Sequence, residues 1–138
     1  MDDDRRVSRT VHLDAPVHRV WEALTDGPQL SAWFGAEVLL DARRGAGVTV
    51  RWPDGRVRRA TVEEVLAPRM FSFRWAPFER TPDGSPKMTQ PSRVEFSLLE
   101  SGRGTLLTVT EEAMGGMPHS ESSAIRLRRT ASAGGMQQ

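Results

Sequence analysis

The chain has no cysteine and only one lysine, Lys87, in 138 residues. Without cysteine there is no disulfide framework, and a zinc site would have to be built from His, Asp and Glu alone. The three histidines, His12, His18 and His119, make no metal-ligand spacing with carboxylates, so no metal and no cofactor are expected. Long hydrophobic runs are also missing: none approaches the ~20 residues that a membrane span requires. The N-terminal MDDDRRVSR is acidic and then basic, with no apolar stretch behind it, which argues against a secretory signal and for a cytoplasmic location. No G-x-S-x-G nucleophile elbow occurs, and Arg44-Gly45-Ala46-Gly47 lacks the Lys and following helix of a phosphate loop, so it reads as a hairpin turn. Nineteen Lys and Arg stand against eighteen Asp and Glu, a net charge of +1 that names no partner. Arg126, Arg128 and Arg129 have no interleaved aromatics, so no nucleic acid is expected as a partner.

What remains is a single-domain length with short, patterned segments. VSRTVHL (7–13) alternates as a half-buried strand, with Asp14 offered as a helix N-cap and Pro16 in the first helical turn. Val17, Val20, Trp21 and Leu24 form one apolar stripe at helical spacing, and Thr25-Asp26-Gly27-Pro28 stops that helix. Gln29 to Phe34 supplies a second short helix. Helices this short need a surface to pack on, and that surface should be a sheet.

Strand signals then follow in series: AEVLLD (36–41), GVTVRW (47–52), RVRRATVEEVL (56–66), MFSFRW (70–75), SRVEFSLLE (92–100) and TLLTVTEE (105–112). Phe71, Phe73 and Trp75 share one face of their strand, and Val94, Phe96 and Leu98 share one face of theirs. Residues 76–91 carry four prolines among Asp, Gly, Thr and Ser, and read as a long exposed loop. Arg58 and Arg59 read as part of a charged outer face that discourages edge pairing.

The combined order resembles the START-like (SRPBCC, Bet v 1-like) superfamily, and within it the branch similar to the activator of Hsp90 ATPase (AHSA1-like). The residues that carry it are Ala15-Pro16, Val20 to Asp26, Leu30, Trp33-Phe34-Gly35, Glu64-Val65 with Pro68-Arg69, Phe73 and Trp75, and the hairpin from Val94 and Phe96 to Leu107 through Thr110. The resemblance implies an α+β helix-grip fold. In it a curved antiparallel sheet, here of about six or seven strands, wraps a long C-terminal helix around a largely apolar cavity, and the helix pair between strands one and two closes one end. The domain is expected over 7–113, between a flexible 1–6 and an atypical tail over 114–138.

That tail departs from the family pattern. Ile125 and Leu127 lie two apart, the finish is Gly-rich, and no useful amphipathic stripe can be drawn, although Pro118 with Ser120 or Ser122 could open a short helix over roughly 119–131. A tail this polar would leave the sheet's concave face to be covered otherwise, and a homodimer is one way to do so.

By the same resemblance, the cavity residues are Trp33, Phe34, Trp52, Phe73, Trp75, Phe96 and Val109, and the partner is a hydrophobic small molecule held without catalysis. Simple core filling is the competing reading for Trp33 and above all for Trp21. Glu64 is the candidate polar cavity group, with Arg51 and Thr108 behind it. Adjacent strand residues point to opposite faces, so one of Glu63 and Glu64 could turn inward as a general acid or base. The competing reading makes it a strand-edge or bulge residue paired with Arg56, Arg58, Arg59 or Arg74. An enzyme of the polyketide cyclase/aromatase kind and a co-chaperone-like interaction module are the alternative functions. The Hsp90 activator carries a second, N-terminal domain that this chain has no room for, so no Hsp90 link is implied.

Overall fold

A computed structural model describes residues 6–114; the helix expected over 119–131 lies outside them. The chain runs β1 (Arg6–Leu13), α1 (Val17–Leu24), α2 (Gly27–Phe34), β2 (Glu37–Leu40), β3 (Gly47–Arg51), β4 (Val57–Leu66), β5 (Met70–Arg80), β6 (Pro86–Met88), β7 (Ser92–Ser101) and β8 (Gly104–Ala113). All pairings are antiparallel, in the order β1-β8-β7-β5-β4-β3-β2, with β6 added beside β5. The class is α+β, as expected, and both helices lie between the first and second strands.

Three local expectations are revised. Residues 76–91 are not one long loop: β5 continues to Arg80 and turns back into β6, which pairs Phe78 with Met88 where β7 no longer reaches. Asp14 does not cap α1, whose N-cap is Pro16 without a side-chain hydrogen bond. The Asp26-Gly27-Pro28 step starts α2 rather than merely stopping α1. Asp26 is the N-cap and accepts from Gln29 N at 3.1 Å, while the proline occupies the first turn, where its missing N–H costs nothing. Gly27 is required by close approach, since a Cβ there would fall 2.6 Å from the Val38 carbonyl oxygen. Ser31 completes the junction by donating to Gly27 O and accepting from Val38 N, both at 2.8 Å, which ties α2 to β2. Gly35 ends α2 at φ 68°, the left-handed cap glycine tolerates best.

Period-two alternation places one set of side chains from each strand on the face that carries the helices. Val62, Phe73, Val94 and Glu111 lie in one register row across β4, β5, β7 and β8, and Val65, Phe71, Phe96 and Val109 in the next. Almost all are buried and belong to one contiguous core with Leu13, Val20, Leu24, Leu30 and Trp33. Trp21 closes one end of it with an edge-to-face contact on Phe71, centroids 6.4 Å apart.

Candidate functional site

The concave face of the sheet is an aromatic wall. Phe71 stacks on Phe96 at 6.1 Å, Phe73 lies 6.2 Å from both, and Trp75 meets Phe73 edge-on at 5.1 Å. Of the seven expected cavity residues, Trp33, Phe73, Trp75, Phe96 and Val109 are buried in the core, and Phe34 and Trp52 pack against it half-buried. The fold therefore gathers all seven into one cluster. Trp33 sits on the side of α2 that packs over β2, whereas the ring-to-ring contacts among the described residues run through Trp21, Phe71, Phe73, Trp75 and Phe96.

Glu64 does not lie on the inner face. The register shifts between Val62 and Glu64, so Val62 faces Phe73 while Glu64 faces Ser72 on the outer side and is exposed. This bulge places the extra residue, Glu63, on the outer side as well, so the two neighbours do not alternate. Glu63 there receives Arg93 Nε at 2.8 Å and pairs with Arg74 at 2.5 Å. Arg74 and Arg93 are direct cross-strand partners, a repulsive juxtaposition that the shared carboxylate relieves. The bulge-and-ion-pair reading thus holds for Glu63. Arg51 is exposed opposite Glu37, and Thr108 bonds Thr10 at 2.9 Å across the outer face of β1 and β8, so neither lies on the inner face.

The polar groups that do face inward are ones the sequence reading had placed outside or passed over. Arg58 alternates with Ala60 and Val62 and is 8% exposed, so it is not part of a charged outer face. Its guanidinium carbon lies 4.3 Å from the centroid of the Trp75 ring, a cation–π geometry. Glu79 Oε1 is 3.9 Å from Arg58 Nε, an ion-pair separation too long for a hydrogen bond, and Thr89 Oγ1 is 3.5 Å from Nη2. Glu111 is 1% exposed and accepts a hydrogen bond from Ser92 Oγ at 2.5 Å, also buried. Burial pushes the Arg58 guanidinium below its ordinary pKa, and the carboxylates of Glu111 and Glu79 oppose that shift. Beside this set, Arg56 stacks on Trp52 at 4.2 Å.

A signal for these residues was present. Extending the apolar row by two residues, from Val109 to Glu111, from Val94 back to Ser92 and from Ala60 back to Arg58, names all three. Their charge and polarity masked it. Among the described residues no group of three His, Asp or Glu side chains could hold a metal, and no helix is long and apolar enough to cross a membrane.

An open antiparallel sheet with a helix pair inserted after its first strand and an apolar inner face defines a START-like domain of the helix-grip type, a ligand-binding kind of fold. The family model described as "Activator of Hsp90 ATPase homolog 1-like protein" matches residues 14–137, and the chain belongs to that AHSA1-like family. DynU16, a protein of the dynemicin biosynthetic locus, superposes with a TM-score of 0.70 at 27% identity over 88% of this chain and 42% of its own length. Ms6760 from Mycobacterium smegmatis does so with 0.68 at 26% identity, over 83% of this chain and 76% of its own. CalU16 from Micromonospora echinospora gives 0.61 at 26% identity, over 80% and 62%. This chain thus spans less than half the length of DynU16. No curated protein matches it in sequence.

Proposed function

We propose that the protein binds an apolar small molecule, without altering it, against the concave face of its sheet. The observation that carries this reading is the continuous wall of Phe71, Phe73, Trp75 and Phe96, which ends in the buried Arg58 and Glu111. Rigid rings offer large contact area at little entropic cost, and a few polar groups at one end fix a ligand's orientation. The place of the DynU16 relative in a biosynthetic locus fits a role directed at small molecules.

Native mass spectrometry of the full-length protein tests the reading, together with titration of 2-ethylnaphthalene as an apolar probe. The expected result is extra mass that is lost on denaturation, or stoichiometric uptake of the probe, either of them weakened by Val109→Phe, which narrows the wall. A protein that carries nothing and takes up no probe overturns it.

A catalytic reading of the polyketide cyclase kind has one observation in its favour, the fully buried Glu111 carboxylate on the same wall. A captured compound that is released chemically changed would favour catalysis over simple binding.

A further inference from the structure

Three buried side-chain nitrogens among the described residues lack a hydrogen-bond partner: Arg56 Nε, Arg58 Nε and Trp75 Nε1. They are all donors, and two of them belong to a single stacked pair, with the Arg58 guanidinium 4.3 Å from the Trp75 ring centroid. A buried donor left unsatisfied is costly, and native structures keep few of them. Two in one stack, at the end of an aromatic wall, form a place prepared for an acceptor.

The charges say which kind of acceptor. Arg58 feels two carboxylates, Glu111 and Glu79, and one further cation, Arg56. An added anion would meet these two carboxylates and would also have to be desolvated, whereas a neutral oxygen acceptor needs only the free N–H groups.

We propose that Trp75 Nε1 and Arg58 Nε form an anchoring subsite for a neutral oxygen acceptor, a ketone or quinone-type carbonyl, on an otherwise apolar aromatic ligand. This rests on the binding reading above and gives that ligand a chemical class and an orientation. The rings lie along Phe73 and Phe96, and the carbonyl points toward the Arg58 end.

The test uses matched probes on the full-length, nitrogen-15-labelled protein: 2-acetylnaphthalene, its carbonyl-free counterpart 2-ethylnaphthalene, and the anion 2-naphthoate. Four tryptophans give four indole N–H signals, and Trp75→Phe identifies the one from Trp75 while keeping a ring in the wall. The ketone is expected to bind at least about fivefold to tenfold tighter than the hydrocarbon, the net gain of about one hydrogen bond. It should move the Trp75 signal where the hydrocarbon does not, and Trp75→Phe should reduce the preference. Equal binding of ketone and hydrocarbon with an unmoved Trp75 signal overturns the subsite and leaves the apolar pocket standing. Tightest binding of 2-naphthoate overturns the choice of a neutral acceptor. Binding of none of the three overturns the pocket and the subsite together.

Discussion

The two faces of the sheet solve opposite problems with the same strands. On the outer face, Arg93 reaches Glu63 and Glu95 at 2.8 Å and Ser72 at 3.2 Å, Arg74 shares Glu63, and Ser97 donates to Glu95 at 3.0 Å. Charges there are paired at short range and partly wet. On the inner face, Arg58 is buried, its nearest carboxylate contact among the described ion pairs is 3.9 Å away, and its Nε has no acceptor. The outer arrangement is complete in itself, whereas the inner one leaves donors unused. Satisfied polar groups need no further partner, whereas unsatisfied buried ones call for an explanation, which the proposed acceptor supplies here.

The largest break in this contrast should come from removing a ring of the wall. Phe96→Ala is expected to destabilise by about 3–5 kcal/mol, through lost burial plus the cavity left behind, as read by urea unfolding. A cost below about 1 kcal/mol would mean the inner face is loosely packed.

Two serines on β7 allow a sharper comparison, because each donates to a glutamate on a different face. Ser92→Ala takes away a buried donor from Glu111 and should cost about 1–3 kcal/mol. Ser97→Ala takes one from the half-exposed Glu95 and should change stability by less than about 0.5 kcal/mol. Equal effects of the two would erase the distinction between the faces.

The smallest effect is a pH dependence on the outer face. The hydrogen bond from Arg93 holds the Glu95 carboxyl below its usual range, with burial opposing and Ser97 assisting. A depressed folded-state value gives stability that is fully present above the ordinary carboxylate value and lost as pH falls through the depressed one. Partial exposure limits the contribution to at most about 1 kcal/mol. Urea titrations between about pH 6 and about pH 3 should show this loss in the natural chain and less of it in Arg93→Gln.

Most of the wall was legible from the sequence, because period-two alternation of large apolar residues survives any detail of packing. That Phe73 and Trp75 share a face, and that Phe96 shares one with Val94 and Leu98, follows from that pattern, whereas Val109 entered through the family resemblance. Arg58, Ser92 and Glu111 sit on the same rows, yet polar residues at row ends read as solvent-facing unless the neighbouring strands are known to cover them. Glu64 went wrong for a different reason. A bulge of one residue resets the alternation, and nothing in Val62-Glu63-Glu64-Val65 announces it. The β5–β6 hairpin was hidden by its prolines, although Pro86 at the start of a short edge strand needs no ladder donor.

By itself, the sequence determined the order of the two helices and of every strand but β6, and the side of β5 and β7 that carries the rings, since these depend on local periodicity and turn chemistry; the AHSA1-like family followed from the combined order of its motifs. Only the tertiary structure decided that a bulge turns both Glu63 and Glu64 outward and that Arg58 lies over Trp75 with a donor to spare. Strand register and burial are set by neighbours distant in the chain, and it is burial that turns an ordinary arginine into an unsatisfied one.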